Sequence, residues 1–355
     1  MDPTTPIQTP GRRLPSPLAD GRSRPTIRDV ALAAGVSVKT VSRVLNDEPY
    51  VRATTAERVK AAATGLGFQR HEAAASLRRL DRSTHVIGLV IEDVSNPFYS
   101  IVVRAVEEVA RTRGYLLLVA SSDEDPLKER EVLRAFCSRR VDALIIVPAG
   151  TDHQFLSSEL AAGTAVVFVD RPGTVGKADS VVAANAAGAR RAVEHLAAHG
   201  HRRIAYIGDL PGIYTADERK RGYLDALAGL GIEPDEALIR VGAQDVAAAE
   251  RETAALLALP SPPTAVFAGN NRLTVGVVRA LRRNDRSVAL VGFDDFELAD
   301  SLDPPVTVVA QDALLLGRTA VELVFSRLDG ESGPARHLTL DATMIVRGSG
   351  EMAPK

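Results

Sequence analysis

The sequence is poor in groups that could cross-link the chain, and it has no long apolar run. Its single cysteine, Cys137, excludes an internal disulfide bond and any cysteine-based zinc site. No stretch approaches the roughly 20 apolar residues that a membrane-spanning helix needs. Residues 1–25 are rich in Pro, Thr and Arg without an apolar run, so they predict a disordered tail and not a secretion signal. We therefore expect a cytoplasmic protein without membrane contact.

Signatures of enzymes are also missing. No G-x-G-x-x-G follows the first predicted strand, and GTVGK at 173–177 lacks the spacing and the Ser/Thr of a phosphate-binding loop. His195, His199 and His201 have a metal-like spacing, but a helix end with cationic residues near its C-terminus explains them more simply. We expect no enzyme activity, no cofactor and no metal.

Charge is segregated along the chain, although the formal net charge is only −2. Residues 1–82 carry 14 Lys and Arg against 8 Asp and Glu, whereas the remainder carries 29 against 37. The basic end suits a nucleic-acid partner. With 355 residues, 45% of them hydrophobic, the chain should form more than one domain.

Two short helices around a tight turn are predicted within residues 26–45. Thr26 and Asp29 form a capping-box-like pair at the start of the first helix, and apolar residues then recur on one helical face. Gly35 supplies the permissive backbone of the turn, and Ser37 is a good N-cap for the second helix. The spacing is typical of a helix-turn-helix module.

The second of these helices has an exposed face that suits DNA. Val38, Lys39, Ser42 and Arg43 are compact or polar groups that can meet base edges and phosphates in the major groove. A third helix is predicted from Thr54, with Glu57 as its capping partner and an apolar stripe that reaches Leu66. The alternative is a helical hairpin with a solvated charged face, but three ordered caps favour the DNA-binding interpretation.

From residue 86 onward, short apolar runs alternate with helical segments, which indicates parallel sheets with crossover helices. The predicted strands span 86–91, 115–121, 143–148, 165–170, 204–209, 238–241, 264–269 and 288–295. The predicted helices span 101–112, 128–139, 187–198, 217–230 and 273–282. The pattern predicts two similar α/β halves with a ligand cleft between them, at the carboxyl ends of the strands.

Polar and aromatic residues that follow these strands are the candidates for the cleft. They are Asn96, Phe98, Tyr99, Asp170, Arg171, Arg219, Asn270, Asp294 and Gln311. Carboxylates, amides and guanidinium groups around an aromatic ring suit a molecule with many hydroxyls. Two alternatives remain open here: an Asp after a strand is often a helix N-cap, and Arg219 could pair with Glu218 or Asp217 on a solvated helix face.

The segment TIRDVALAAGVSVKTVSRVLN, followed by ERV and GF, resembles the headpiece of the lactose-repressor (LacI/GalR) family of bacterial transcription regulators. The resemblance extends over nearly the whole chain after Arg24. It implies an N-terminal all-α helix-turn-helix headpiece with a hinge helix, then an α/β periplasmic-binding-protein-like core of two doubly wound parallel-sheet subdomains. The implied ranges are a tail at 1–25, the DNA-binding domain at 26–69, the hinge at 70–83 and the core at 84–355, with subdomains at about 84–182 plus 312–338 and about 183–311 plus 339–355.

The resemblance also implies which residues contact DNA. In the headpiece they are Thr26, Ser37, Val38, Lys39, Thr40, Ser42, Arg43, Asn46, Arg52 and Thr55. In the hinge they are His71, Ala74, Leu77 and Arg78. The family's leucine at the position of Leu77 is wedged between base pairs in the minor groove, where unstacking is offset by new contacts. The alternative for the hinge is an ordinary Ala-rich linker helix.

The function implied is a sequence-specific DNA-binding transcriptional regulator, and we expect a repressor. It would bind a pseudo-palindromic double-stranded operator as a homodimer, under the control of a small sugar-like effector, with a pentose or related polyol as first guess. The C-terminus carries no leucine heptad, so a dimer is expected. The alternative is a solute-binding protein without a regulatory role, which the fused DNA module opposes. Asn271, Arg70 and His71 depart from the family pattern, and Asn271 stands where the family usually has Asp.

Overall fold

The computed structural model describes residues 25–45, 48–68 and 83–354. The chain divides into two compact units, Met1–Arg82 and Ser83–Lys355. Each unit is described by itself. Most of the predicted tail and nearly all of the predicted hinge, residues 1–24 and 70–82, lie outside the described residues.

Three helices form the described part of the first unit. They are α1 (Ile27–Ala34), α2 (Val38–Leu45) and α3 (Ala53–Gly65). The Asp29 carboxylate accepts hydrogen bonds from the backbone N–H and the hydroxyl of Thr26, both at 2.7 Å, and these bonds lower the pKa of Asp29. The hydroxyl of Ser37 accepts from the backbone N–H of Thr40 at 3.1 Å, so it caps α2. Both predicted caps are present.

A small apolar core joins these helices. Each helix contributes one fully buried valine to it: Val30, Val41 and Val59. The prediction for the third helix was wrong in two details. The helix begins at Ala53, because the carbonyl of Arg52 accepts the first bonds and no side chain caps it. Leu66 lies just past the helix end and is 39% exposed, so it does not extend the apolar stripe.

The second unit contains two six-stranded sheets. The first has the order β11-β5-β4-β3-β1-β2 and is parallel throughout. Its strands are β1 (Val86–Ile91), β2 (Leu116–Ser121), β3 (Ala143–Ile146), β4 (Ala165–Val169), β5 (Asp179–Ala183) and β11 (His337–Leu340). The second has the order β12-β10-β9-β8-β6-β7. Its strands are β6 (Ile204–Ile207), β7 (Ile239–Arg240), β8 (Ala265–Ala268), β9 (Ala289–Phe293), β10 (Thr307–Gln311) and β12 (Ala342–Ile345).

Helices connect the strands of both sheets. They are α4 (Pro97–Thr112), α5 (Pro126–Ser138), α6 (Ser157–Ala162), α7 (Asn185–Ala198), α8 (Tyr214–Gly229), α9 (Val246–Leu257), α10 (Asn271–Arg283) and α11 (Ala313–Leu328), with 3₁₀ turns at Gln154–Leu156 and Glu236–Leu238. In both sheets the first strand lies between the second and the third, so the strand order reverses between β1 and β3 and between β6 and β8. Ligands bind at such switch points in doubly wound folds.

The predicted fold class, a helical headpiece followed by two doubly wound sheets, is confirmed for the described residues. One strand departs from the parallel pattern: β12 runs antiparallel to β10, with Ile345 opposite Val308. Its preceding neighbour β11 pairs with β5 in the other sheet, so the chain passes from one sheet to the other between residues 340 and 342. Within the described ranges, no helix combines the length and apolarity that crossing a membrane requires.

The helix after β1 begins at Pro97, four residues before the predicted start at Ile101. The Asn96 side chain accepts from the backbone N–H of Phe98 at 3.2 Å, and proline at the first helical position has the required φ. The earlier start places Phe98 and Tyr99 in the first turn of α4, directly at the end of β1.

Candidate functional site

One cavity is lined by all nine residues predicted for the cleft. It lies between the two sheets, where the strands of both end. Four further residues line it, and they are Glu92, Asp209, Thr215 and Asn271. The arrangement agrees with the expected convergence of strand ends at one edge of each sheet.

On the side of the first sheet, a buried acid and a buried base follow β4. Asp170 is 3% exposed and accepts a hydrogen bond from the hydroxyl of Tyr99 at 3.1 Å. Burial raises the pKa of Asp170. Arg171 is 6% exposed; its two terminal nitrogens bind the Glu124 carboxylate, and one also donates to the carbonyl of Pro148 at 2.9 Å. The N–H at Nε has no hydrogen-bond partner, and Nε lies 3.7 Å from Asp170 Oδ2.

On the side of the second sheet, Arg219 projects from α8 into the same cavity. Its guanidinium donates to Asn185 Oδ1 at 2.8 Å, to the carbonyl of Gly269 at 2.7 Å and to Asp294 Oδ2 at 3.2 Å. It also lies over the ring of Phe293, 3.8 Å from the centroid. Arg219 is only 5% exposed, so the alternative that it pairs on a solvated helix face is wrong.

Asp294 and Gln311 complete this side of the cavity. Gln311 Nε2 donates to Asp294 Oδ1 at 2.7 Å, which leaves Gln311 Oε1 buried without a partner. Asp294 follows β9 directly, as Asp170 follows β4, and both have a left-handed backbone, with φ of 63° and 68°. Each of these carboxylates is held at the end of its sheet by a conformation that Asp tolerates better than most residues.

Two neighbouring asparagines have different roles. Asn270 is the N-cap of α10, since its side chain accepts from the backbone N–H of Leu273 at 2.8 Å and donates to Asp209 at 2.9 Å. Asn271 is buried and donates to Asn96 Oδ1 at 3.1 Å, so it links the two halves of the unit across the cavity. The carboxylate that the family usually has at Asn271 is replaced here by an amide that bonds to another amide.

Sequence reasoning missed Glu92, which follows the predicted strand at 86–91, and Asp209, which ends the predicted strand at 204–209 as Asp170 ends the one at 165–170. Burial, followed by the charge of Glu124, raises the pKa of Glu92 to about 7. Burial also raises the pKa of Asp209.

In the first unit, the described residues predicted to contact DNA lie in α2 and α3 and at the starts of the three helices. Six of these side chains are exposed: Thr26, Ser37, Val38, Lys39, Arg43 and Arg52. Three are half-buried: Thr40, Ser42 and Thr55. Arg43 Nε is 3.6 Å from a carboxylate oxygen of Glu48, and both side chains are solvent-exposed. Five other residues predicted to contact DNA lie outside the described residues: Asn46, His71, Ala74, Leu77 and Arg78.

Two family models match the chain. Residues 26–71 match the model of bacterial regulatory proteins of the lacI family, and residues 193–350 match a periplasmic binding protein-like domain. The chain is 35% identical over 324 residues to the HTH-type transcriptional regulator GalS of Salmonella typhimurium. The alignment covers 90% of this chain and 92% of that protein.

Solved structures agree with this assignment. The lac repressor dimer bound to operator and the anti-inducer ONPF superposes with a TM-score of 0.79 and 26% identity, over 92% of this chain and 99% of that one. A LacI-family regulator from Enterococcus faecium with bound ribose gives a TM-score of 0.67 and 26% identity, over 76% and 99%. The chain therefore belongs to the lacI family of bacterial regulatory proteins, which are DNA-binding regulators of transcription.

Proposed function

We propose that this chain is a repressor that binds a pseudo-palindromic operator as a homodimer and responds to a small sugar-like effector in the cleft of its second unit. The observation that carries the proposal is the set of buried polar groups around the cavity, two of which lack partners. Arg171 Nε offers a donor and Gln311 Oε1 offers an acceptor. Buried polar groups without partners are costly unless a ligand or water satisfies them.

A sugar fits these groups because each hydroxyl both donates and accepts hydrogen bonds. The carboxylates of Asp170 and Asp294 accept, the free N–H of Arg171 donates, and Phe98 gives the cavity an aromatic wall. The ribose bound to the Enterococcus faecium relative supports a pentose as the first candidate.

The DNA-binding part of the proposal rests on the first unit. The exposed face of α2 would enter the major groove, with Lys39 and Arg43 as its cationic residues. Residues 70–83 would form the hinge, with Leu77 in the minor groove, and the core would span 84–355 with the subdomain ranges given above. The lac repressor bound to operator as a dimer supports the same arrangement here.

Thermal unfolding against a panel of pentoses, hexoses, polyols and nucleosides tests the effector class. A sugar that binds only the native state raises the unfolding midpoint by mass action. Asp294→Asn keeps the size of the side chain but removes the charge that binds Arg219, so it should abolish the shift while operator binding persists. Asp329→Asn is a matched control, because Asp329 pairs with Arg113 on the surface. If the sugar raised the unfolding midpoint of Asp294→Asn as much as that of the wild type, the sugar would bind outside this cleft.

A further inference from the structure

We propose that Tyr50 is a further DNA-contacting residue, whose hydroxyl donates a hydrogen bond to a phosphate of the operator backbone. The inference rests on the proposed operator binding and adds one contact to it. Tyr50 lies between the end of α2 and the start of α3. It is the only tyrosine among residues 1–82, and neither the helix pattern nor the family resemblance predicted a role for it.

The backbone of Tyr50 has a conformation that tyrosine rarely adopts. Its φ is 101°, whereas positive φ values are uncommon outside glycine and are mostly those of Asn, Asp and His. Pro49 precedes it, and a proline followed by a residue with positive φ is typical of a turn that favours glycine at the second of these positions. A tyrosine therefore makes this turn less stable than a glycine would. Residues in such conformations cluster at binding sites and switches.

Burial of the side chain does not offset this strain. Among the described residues, Tyr50 has the most exposed of the large hydrophobic side chains, at 96%. The apolar core of the first unit is formed by other residues, including Val30, Val41 and Val59. The ring and the hydroxyl of Tyr50 are therefore available to another molecule.

The surroundings of Tyr50 suit a phosphate group. Arg43, near the end of α2, and Arg52, just before α3, are both exposed. The carbonyl of Arg43 accepts from the backbone N–H of Glu48 at 3.0 Å, so the residues that lead to Tyr50 are anchored to the end of α2. No side chain caps α3, whose N-terminus carries the positive end of the helix dipole. Tyrosine hydroxyls are among the groups that bind DNA phosphates.

A phosphate contact by a neutral hydroxyl has two consequences that can be measured. Phosphate contacts carry no direct sequence information, so the base preference should not depend on Tyr50. The hydroxyl has no charge and releases no counterion, so the salt dependence of binding should not depend on it either. Lys39→Ala, which removes an exposed cation of α2, should by contrast reduce the salt dependence.

The test measures the affinity of the full chain for a fluorescent operator that has been selected from a random DNA pool. Tyr50→Phe removes only the hydroxyl, and it should weaken binding at least about fivefold because a hydrogen bond to a charged group is lost. Its base preference and its salt dependence should equal those of the wild type. Leu32→Ala is the control, since Leu32 on α1 is also a large exposed side chain, at 78%, and its removal should leave the affinity unchanged.

Two further variants separate the contact from the strain. Tyr50→Ala removes the side chain and keeps a residue that is strained at positive φ, whereas Tyr50→Gly removes both the side chain and the strain. Both should bind operator at least as weakly as Tyr50→Phe. Amide hydrogen exchange of α1, α2 and α3 in the full chain should nevertheless be slower in Tyr50→Gly than in Tyr50→Ala, because the three-helix unit is more stable.

Three results would overturn the inference and leave the proposed operator binding intact. The first is wild-type affinity in Tyr50→Phe, and the second is wild-type affinity in Tyr50→Gly, which would limit Tyr50 to a role in the turn. The third is an altered base preference in Tyr50→Phe, which would assign the hydroxyl to a base edge. A wild-type protein that selects no preferred DNA sequence would overturn the proposed operator binding, and the inference with it.

Discussion

Single residues at the strand ends determine the chemistry of the cleft. Asp170 and Asp294 occupy corresponding positions after β4 and β9, and each combines a left-handed backbone with deep burial. Strained and buried polar groups of this kind persist only where the surrounding structure holds them. Tyr99 binds the first carboxylate, and Arg219 and Gln311 bind the second. The two acids are therefore oriented before any ligand arrives.

Glu92 should make the stability of the second unit depend on pH. Its pKa is raised by burial from 4.5 to about 7, so the folded protein holds this proton more tightly than the unfolded chain. The stability that this proton contributes is fully present below pH 4.5 and is lost as the pH rises to about 7, by at most about 3 kcal/mol. In Glu92→Gln, which mimics the neutral form, the unfolding midpoint should exceed that of the wild type by a margin that grows between pH 5 and pH 7.5.

The control for this prediction is Glu131→Gln, on the exposed face of α5. Its midpoint should differ from the wild type by a constant amount across the same pH range. If the margin for Glu92→Gln did not change with pH, Glu92 would not carry the raised pKa.

At this scale the sequence predicted much of the cleft. Polar residues after strands identified Asp170, Asp294 and Gln311, because parallel strands end at a common edge. It could not predict that the carbonyl oxygen of the Asn270 side chain would be used by the N-terminus of α10, since helix capping and ligand binding favour the same residue types there. The hydrogen bonds of the buried Arg219 come from α7 and from the residues after β8 and β9, and this meeting depends on the tertiary fold.

Among the elements, the position of helix α8 is tightly constrained, because the helix carries Arg219 and packs closely against α7. A Cβ on Gly222 would lie 2.2 Å from the carbonyl oxygen of Ala186 on α7. Gly222→Ala should therefore force the helices apart and lower the free energy of unfolding by about 1–3 kcal/mol. Thermal unfolding measures the loss, and sugar binding should weaken with it because Arg219 moves with the helix.

Gly229→Ala is the matched control on the same helix, since a Cβ there meets nothing within 4 Å. Alanine is the better helix former, so this variant should be as stable as the wild type or more so. Equal stability of the two variants would contradict the close approach of α7 and α8.

A separate prediction concerns the binding of DNA by helix α2. If Arg43 reaches a base edge, Arg43→Ala should weaken binding to the preferred site by about 1–3 kcal/mol and relax the base preference at one position in each half-site. Selection of bound sequences from a random DNA pool measures the preference. Arg104→Ala, on α4 of the second unit, is the control. An unchanged preference together with a reduced salt dependence would assign Arg43 to a phosphate instead.

The elements differed in how far the sequence predicted them. The headpiece helices were predicted to within one or two residues, because Asp29 and Ser37 mark their starts. Strands β5 and β11 were not predicted, although other strands of four or five residues were, and β11 is largely exposed and has no apolar run. Their pairing depends on contacts distant in sequence, such as Arg327 and Arg336 with Asp179 at the start of β5.

In the second unit as a whole, the cavity is bridged by contacts between its two halves. Asn271 bonds to Asn96, and Arg272 lies 3.5 Å from the carboxylate of Asp93. A ligand that adds bonds to both halves favours the arrangement in which they are close. Suppose that an effector changes the affinity of the protein for operator by some factor. By linkage, operator must then change the affinity of the protein for the effector by the same factor.

The most direct test of the account is a titration of the dimer with a fluorescent operator selected from a random DNA pool, with and without the sugar that gives the largest shift in unfolding midpoint. We expect a two-fold symmetric site, and an affinity that the sugar changes at least about fivefold in the wild type but not in Asp294→Asn. An affinity for DNA that shows no sequence preference, or that the bound sugar leaves unchanged, would contradict the claim that the cleft controls operator binding.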